Sequence, residues 1–200
     1  YRRQRQMCIR DRAMVERMKA HYHREQFPED GVKYQVRFSL FKDEAALCLD
    51  TSGEGLYKRG YRAHGVDAPL RETLAAAMVL LSRYRGRDPF CDPFCGSGTL
   101  LIEAAQKAMN IAPGLKRRFA AERYSFVPAA VWAEQRQKAL AESKLDVGFE
   151  AFGYDIDPAA VALANANAKL AGVEKRCHFE VADVADFAAR NEAIVLTNPP

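Results

Sequence analysis

From Leu70 onward the chain keeps switching its hydrophobic period, and that switching constrains the fold more than any other feature. Apolar runs at 89–91, 149–154, 179–182 and 193–197 are too short for helices, and stretches with helical spacing lie between them. The helical stretches read as 70–81, 99 to about 110, and 158–171. Pro69 is tolerated in the first turn of the first helix, and Gly172 stops the last. Strands that alternate with helices run parallel, because a parallel crossover needs a long connection, and the helices then cover the sheet. The predicted fold class is α/β, a parallel sheet with helices on its faces.

The stretch 111–148 interrupts this rhythm and reads as an insertion after the first helix of the sheet. It holds Pro113-Gly114, the triplet Lys116-Arg117-Arg118 and a helical pattern near 130–144 around the single tryptophan, Trp132. The triplet is either a contact for RNA phosphates or a solvated charge run.

Upstream the pattern differs. Val32, Tyr34, Val36, Phe38 and Leu40 alternate with Lys33, Gln35, Arg37 and Ser39, which predicts a half-buried strand with one wet, partly basic face. A turn at 41–44 leads to a second strand at 45–50. Met14, Met18 and Tyr22 recur every four residues, predicting a helix over about 13–25 that Pro28 and Gly31 end. A helix and a hairpin in some 40 residues make too small a core to stand alone, so 13–53 reads as the tail of a domain. Residues 51–65 contain four glycines and read as a connector, with the linker proper at 54–65. Residues 1–12 hold five arginines and almost no apolar periodicity. They are either a basic arm for nucleic acid or a disordered or non-native leader, and the fold is reasoned without them.

Composition narrows the class. With 48% hydrophobic residues the chain can bury a core, and its net charge of +4 suits RNA as a partner without requiring it. Five cysteines form no disulfide framework, and Cys91-x-x-x-Cys95 has no second pair with metal-site spacing. Reduced thiols, no metal and a cytoplasmic location are the expectation. The longest apolar run, 74–81, is far below the ~20 residues of a membrane helix, and no signal peptide is visible.

In open α/β sheets, ligands sit outside the carboxyl ends of the strands. Three of these ends carry an acid (Asp92, Asp155, Asp183) and the fourth carries Asn198. In the turn Asp92-Pro93-Phe94-Cys95-Gly96-Ser97-Gly98-Thr99, the glycines let the backbone approach a ligand closely. The helix opening at Thr99 offers free N–H groups to an anion, and Asp92 suits a cationic amine. A ligand with adjacent carboxylate and ammonium, such as the methionine end of S-adenosylmethionine, satisfies both. Leu101 stands where a dinucleotide fingerprint wants glycine. Asp155 can accept both ribose hydroxyls. Asp157 before Pro158 reads as a helix N-cap. Asp183 either accepts from an adenine amino group or is a turn acid. The Asn198 side chain and the Pro199 carbonyl can both accept from an exocyclic NH₂, aligning its nitrogen lone pair. Thr197-Asn198-Pro199-Pro200 at the tip of a strand is therefore the candidate catalytic segment.

The chain resembles the THUMP-containing class I RNA methyltransferases of the bacterial YpsC/RlmL type. The stretches that carry the resemblance are Asp50 to Arg62 with Ala68 to Ala76, Asp92 to Glu103 with Asn110 to Gly114, and Thr197 to Pro200. It implies a Rossmann-like, doubly wound methyltransferase sheet, followed here through its fourth strand. The end of an α+β THUMP domain would precede it, with the catalytic domain at 66–200. It implies S-adenosylmethionine as cofactor, held by Asp92, Pro93, Cys95, Gly96, Ser97, Gly98, Thr99, Asp155 and Asp183. Asn198, Pro199 and Pro200 would be catalytic, and N2 of a guanine in large-subunit ribosomal RNA the target. An aromatic residue would follow Pro200 and stack on the target base, so turnover by these 200 residues alone is not expected. Rival readings are a tRNA guanine-N2 enzyme, a DNA adenine or protein-glutamine methyltransferase, and a non-catalytic RNA-binding module.

Overall fold

The computed structural model describes residues 2–28, 30–62, 70–188, 190 and 192–200, with backbone alone for 2–10. Residues 63–69, which include Gly65, Ala68 and Pro69, lie outside the described residues. The chain divides into two compact units between Lys33 and Tyr34.

The first unit is built on one helix, α1 (Arg2–Tyr22). The helix is longer than the 13–25 expected from the apolar spacing and runs through 2–12 as well. Arginine, glutamine and methionine are good helix formers, so the segment that lacks apolar periodicity still favours helical backbone. The helix closes at His23, whose φ of 51° is left-handed.

The second unit begins with a hairpin of β1 (Val36–Phe41) and β2 (Glu44–Leu49), paired from Val36↔Leu49 to Phe41↔Glu44. Lys42 and Asp43 at its tip both have positive φ, 48° and 61°, as a two-residue hairpin turn requires. The alternation predicted one buried face, but every residue of both strands is exposed, with Leu40 at 65% and Leu47 at 72%. A two-stranded ribbon has no second layer of its own, and none of the described residues supplies one. The ribbon is tied to the rest of the unit at its base. Tyr34 stacks on Tyr124 at 4.7 Å, and the Tyr124 hydroxyl donates to the Asp50 carbonyl.

The sheet consists of β3 (Phe90–Asp92), β4 (Ala151–Asp155), β5 (Cys177–Val181) and β6 (Ile194–Val195), all parallel, in the order β5-β4-β3-β6. Around it lie α2 (Glu72–Leu81), α3 (Thr99–Ala108), α4 (Ala129–Ala141) and α5 (Pro158–Ala171). The chain moves outward from β3 to β5 and then returns to the other side of β3 for β6. The topological switch point therefore lies at the carboxyl end of β3, where such sheets bind ligands. In the core Phe90 meets the Tyr84 ring edge-to-face at 5.3 Å, and Phe149 packs tilted against it at 5.6 Å.

Helix α3 is buried from Thr99 to Gln106, because the sheet, α5, α2 and the segment before α2 all pack against it. That segment, 54–62, was expected as a linker, yet it is built into the unit. Tyr61 is 1% exposed and donates to the buried Glu103 at 3.0 Å, with Arg59 3.3 Å away on the same carboxylate. A buried carboxylate on α3 needs such partners, since an unpaired charge there would cost several kcal/mol. Arg117 donates to the carbonyls of Ser52, Glu54 and Gly55 and is 7% exposed. The basic triplet is thus neither a uniform phosphate contact nor a solvated run. Its middle member is a structural brace, and Arg118 alone keeps a fully solvated head, beside Glu122.

Candidate active site

The turn after β3 starts at Asp92, the last residue of the strand and 2% exposed. Its Oδ1 accepts from the Phe94 N–H at 3.0 Å. Burial pushes its carboxyl up to about 6, against the Thr197 hydroxyl and the Phe94 amide, which favour the ionised form; the Asp155 charge adds to the rise. The threonine contact itself falls outside regular hydrogen-bond geometry.

Gly96 and Gly98 sit at φ 50° and 77°, a conformation that other residues adopt at a cost. They differ in surroundings. A Cβ on Gly96 would meet nothing within 4 Å, whereas one on Gly98 would lie 2.8 Å from Phe179. Gly98 is also the N-cap of α3, so the first N–H groups of that helix have no side-chain cap. Ser97 Oγ and Thr99 Oγ1 lie 3.1 Å apart, and Arg62 reaches within 3.5 Å of Thr99 from behind while pairing with Glu72 at 2.6 Å.

Asp155 closes β4. One oxygen accepts from the Gly96 N–H at 2.8 Å and the other from the Asp157 N–H at 3.0 Å. The carboxylate therefore pins the glycine turn to the neighbouring strand while keeping unused lone pairs. Asp157 caps α5 through the Ala159 N–H at 2.8 Å, as its place before Pro158 predicts. Asp183 accepts from the Ala185 N–H at 2.9 Å, so it serves as a turn acid and remains exposed as well.

These strand ends meet in one cleft of about 440 Å³, lined by Pro93, Phe94, Gly96, Asp155, Ile156, Ala182, Asp183, Val184, Asn198, Pro199 and Pro200. Of the expected site residues, Pro93, Gly96, Asp155, Asp183, Asn198, Pro199 and Pro200 line it. Asp92, Cys95, Ser97, Gly98 and Thr99 do not; they form the layer beneath. Cys95 is 6% exposed and its thiol is pushed up by burial, which makes it a packing group. Sequence reasoning missed the apolar walls, Ile156 and Val184, which are 70% and 43% exposed. Large apolar residues directly after the strand-end acids were the available signal. It also missed Gly153, where a Cβ would lie 2.5 Å from Leu101 and 2.7 Å from Phe179. The strand there must be bare for α3 and β5 to close on it.

Comparisons with known proteins point to methyltransferases. The family profile described as UPF0020: RMKL-like, methyltransferase domain, matches residues 59–200. The provisionally named RNA methyltransferase YpsC of Bacillus subtilis is 40% identical over 94% of this chain and 50% of its own length. A ribosomal RNA large subunit methyltransferase K/L of Vibrio parahaemolyticus is 42% identical over 83% of this chain and 24% of its own length. The chain thus spans half or less of the curated relatives it matches. Among solved structures, SMU.472, provisionally a methyltransferase and complexed with SAH, superposes with a TM-score of 0.87 at 37% identity, covering 95% of this chain and 51% of that one. A Listeria monocytogenes protein assigned as an N6-adenine-specific DNA methylase gives 0.89 at 42% identity, covering 95% and 50%.

Proposed function

The chain belongs to the RMKL-like methyltransferase family, and on that premise we propose that it carries the cofactor and catalytic half of an S-adenosylmethionine-dependent RNA methyltransferase. The target we infer is the exocyclic N2 of a guanine in large-subunit ribosomal RNA. The observation that carries the reading is the convergence of Gly96, Asp155, Asp183 and Asn198-Pro199-Pro200, from four different strand ends, on a single cleft.

The residues present fit the cofactor. The open N-terminus of α3 suits the methionine carboxylate, and the buried Asp92 suits the adjacent ammonium, whose charge would draw off the proton that burial favours. Asp155, already fixed by two amides, has lone pairs left for the ribose hydroxyls. Ile156 and Val184 offer apolar faces for the adenine, with Asp183 beside them for its amino group. The bound cofactor would supply an electrophilic methyl on a sulfonium. At the other end of the cleft, the Asn198 side-chain oxygen and the Pro199 carbonyl accept from the two hydrogens of the target amine. The nitrogen lone pair then points along the transfer direction, and the methylated nitrogen gives up one proton to solvent. Positioning of this kind, rather than a strong base, supplies the rate enhancement.

The hairpin supports a second element of the reading. Its exposed apolar residues, Phe38, Leu40, Phe41 and Leu47, suit a ribbon that another layer covers. We assign it with α1 to the end of a THUMP domain that delivers RNA.

The test is incubation of the full-length protein with isotopically labelled S-adenosylmethionine and either large-subunit ribosomal RNA, tRNA or duplex DNA, followed by nucleoside mass spectrometry. N2-methylguanosine in ribosomal RNA is expected. N6-methyladenine in DNA would overturn the RNA reading, and N2-methylguanosine confined to tRNA would overturn its ribosomal part. Calorimetric titration with S-adenosylhomocysteine tests the cofactor site separately.

A further inference from the structure

A second concavity, of about 900 Å³, lies outside the cofactor cleft, between the segment 54–62 and the insertion residues 116–123. It is larger than the cofactor cleft, and among the described residues seven basic side chains line it against two carboxylates. Glu54 pairs with Lys58 and Glu72 with Arg62, so both carboxylates are already spent. Arg118 pairs with Glu122 at 3.0 Å, just outside the lining, with its side chain 89% exposed; among the described residues the other charges that remain have no acid in the groove to neutralise them. Arg117 is buried on backbone carbonyls, and Lys116 likewise donates to the Leu170 carbonyl. Their contacts are satisfied while their charges stand. Arg71 lies over the Tyr57 ring at 5.2 Å, and Arg118 and Arg123 flank the mouth. The inner wall is Arg62, 3.5 Å from Thr99 at the head of α3, so the groove leads to the back of the glycine turn.

We propose that this groove is the track for the RNA backbone, with Arg118 and Arg123 contacting phosphates at its mouth and Tyr57 offering a face on which a base stacks. The inference rests on the RNA reading above and adds a location to it. A single small anion would need a compact cluster of donors. Here the charge is spread along two chain segments in a space twice that of the cofactor cleft, which matches a polyanion. An aromatic ring among cations is the usual composition of a single-strand track. The buried guanidinium of Arg117 contributes potential without losing side-chain entropy on binding.

The experiment compares the parent protein with Arg118→Gln/Arg123→Gln. Neither residue lines the cofactor cleft. Lys138→Gln/Lys175→Gln, exposed and outside the groove, is the charge-matched control. Binding of a fluorescein-labelled RNA hairpin with a single-stranded loop is followed by anisotropy across a salt series, and S-adenosylhomocysteine binding by calorimetry. Loss of two phosphate contacts should lower the slope of log Kd against log salt by about 1.4, while the control keeps the parent slope. S-adenosylhomocysteine affinity should be unchanged in all three, which also reports that the variants fold. Parent-like slope and affinity in the groove variant would overturn the groove and leave the RNA reading standing. Failure of the parent to bind RNA while binding S-adenosylhomocysteine would overturn both. Polyglutamate binding with the same dependence on Arg118 and Arg123 would replace RNA by an acidic polypeptide.

Discussion

Gly96 and Gly98 stand two residues apart in one turn, and alanine should affect them unequally. Both have positive φ, 50° and 77°, so either substitution forces a side chain into the left-handed region at about 1–2 kcal/mol. At Gly96 that is the whole effect, since the added methyl would meet nothing within 4 Å. At Gly98 the methyl would lie 2.8 Å from Phe179 Cζ and 3.1 Å from the Ala164 methyl. The phenyl ring cannot shift toward Gly153, because Cδ1 on the same edge already lies against that bare backbone, where a Cβ would sit 2.7 Å from it. Overpacking of this kind costs about 1–3 kcal/mol. Gly98→Ala should therefore destabilise by about 2–5 kcal/mol and Gly96→Ala by about 1–2. Against a total stability of roughly 5–15 kcal/mol, the first is a large fraction. Urea denaturation is the assay: the midpoints should fall in that order with the slope m unchanged. Equal midpoints for the two variants would show that Phe179 yields freely and that the steric argument fails.

Other predictions address charge. Asp92 has a folded pKa of about 6 against an ordinary 3.8, so the folded state holds this proton more tightly than the unfolded chain. Its contribution to stability falls as pH rises from roughly 4 to 6, and above that the ionised form opposes folding by ~3 kcal/mol at most. Asp92→Asn, which keeps an acceptor for the Phe94 amide, should raise the unfolding midpoint at neutral pH and lose that advantage near pH ~4. The same variant should bind S-adenosylhomocysteine more weakly, and parent affinity should decline below pH ~6 as the carboxylate is protonated; a pH-independent affinity in calorimetry would exclude Asp92 as the ammonium partner. Arg117→Ala strips three backbone carbonyls of a buried charged donor and should cost about 2–4 kcal/mol, whereas Arg118→Ala should stay within ~0.5. Thermal unfolding of the pair measures the difference, and equal shifts would remove Arg117 from its bracing role.

Much of the design is legible in the residues alone. The alternation of short apolar runs with helical stretches dictates a parallel sheet, because each period is set by local geometry and a parallel crossover admits little else. The glycine turn, the Asp157 cap and the Gly172 stop act within a few residues of chain, and the structure has them where local rules put them. What pattern could not supply was anything dependent on partners distant in sequence. That Asp155 grips the Gly96 amide 59 residues away, that Glu103 on α3 needs Arg59 and Tyr61, and that Arg117 braces 52–55 are consequences of packing. The hairpin shows the limit from the other side: alternation records which face could be buried, and only a neighbouring layer decides whether it is. Sequence therefore determined the order of strands and helices and the chemistry waiting at each strand end. The tertiary structure decided which of those ends share a cleft, because the sheet order β5-β4-β3-β6 brings the turn after β3 beside the ends of both β4 and β6.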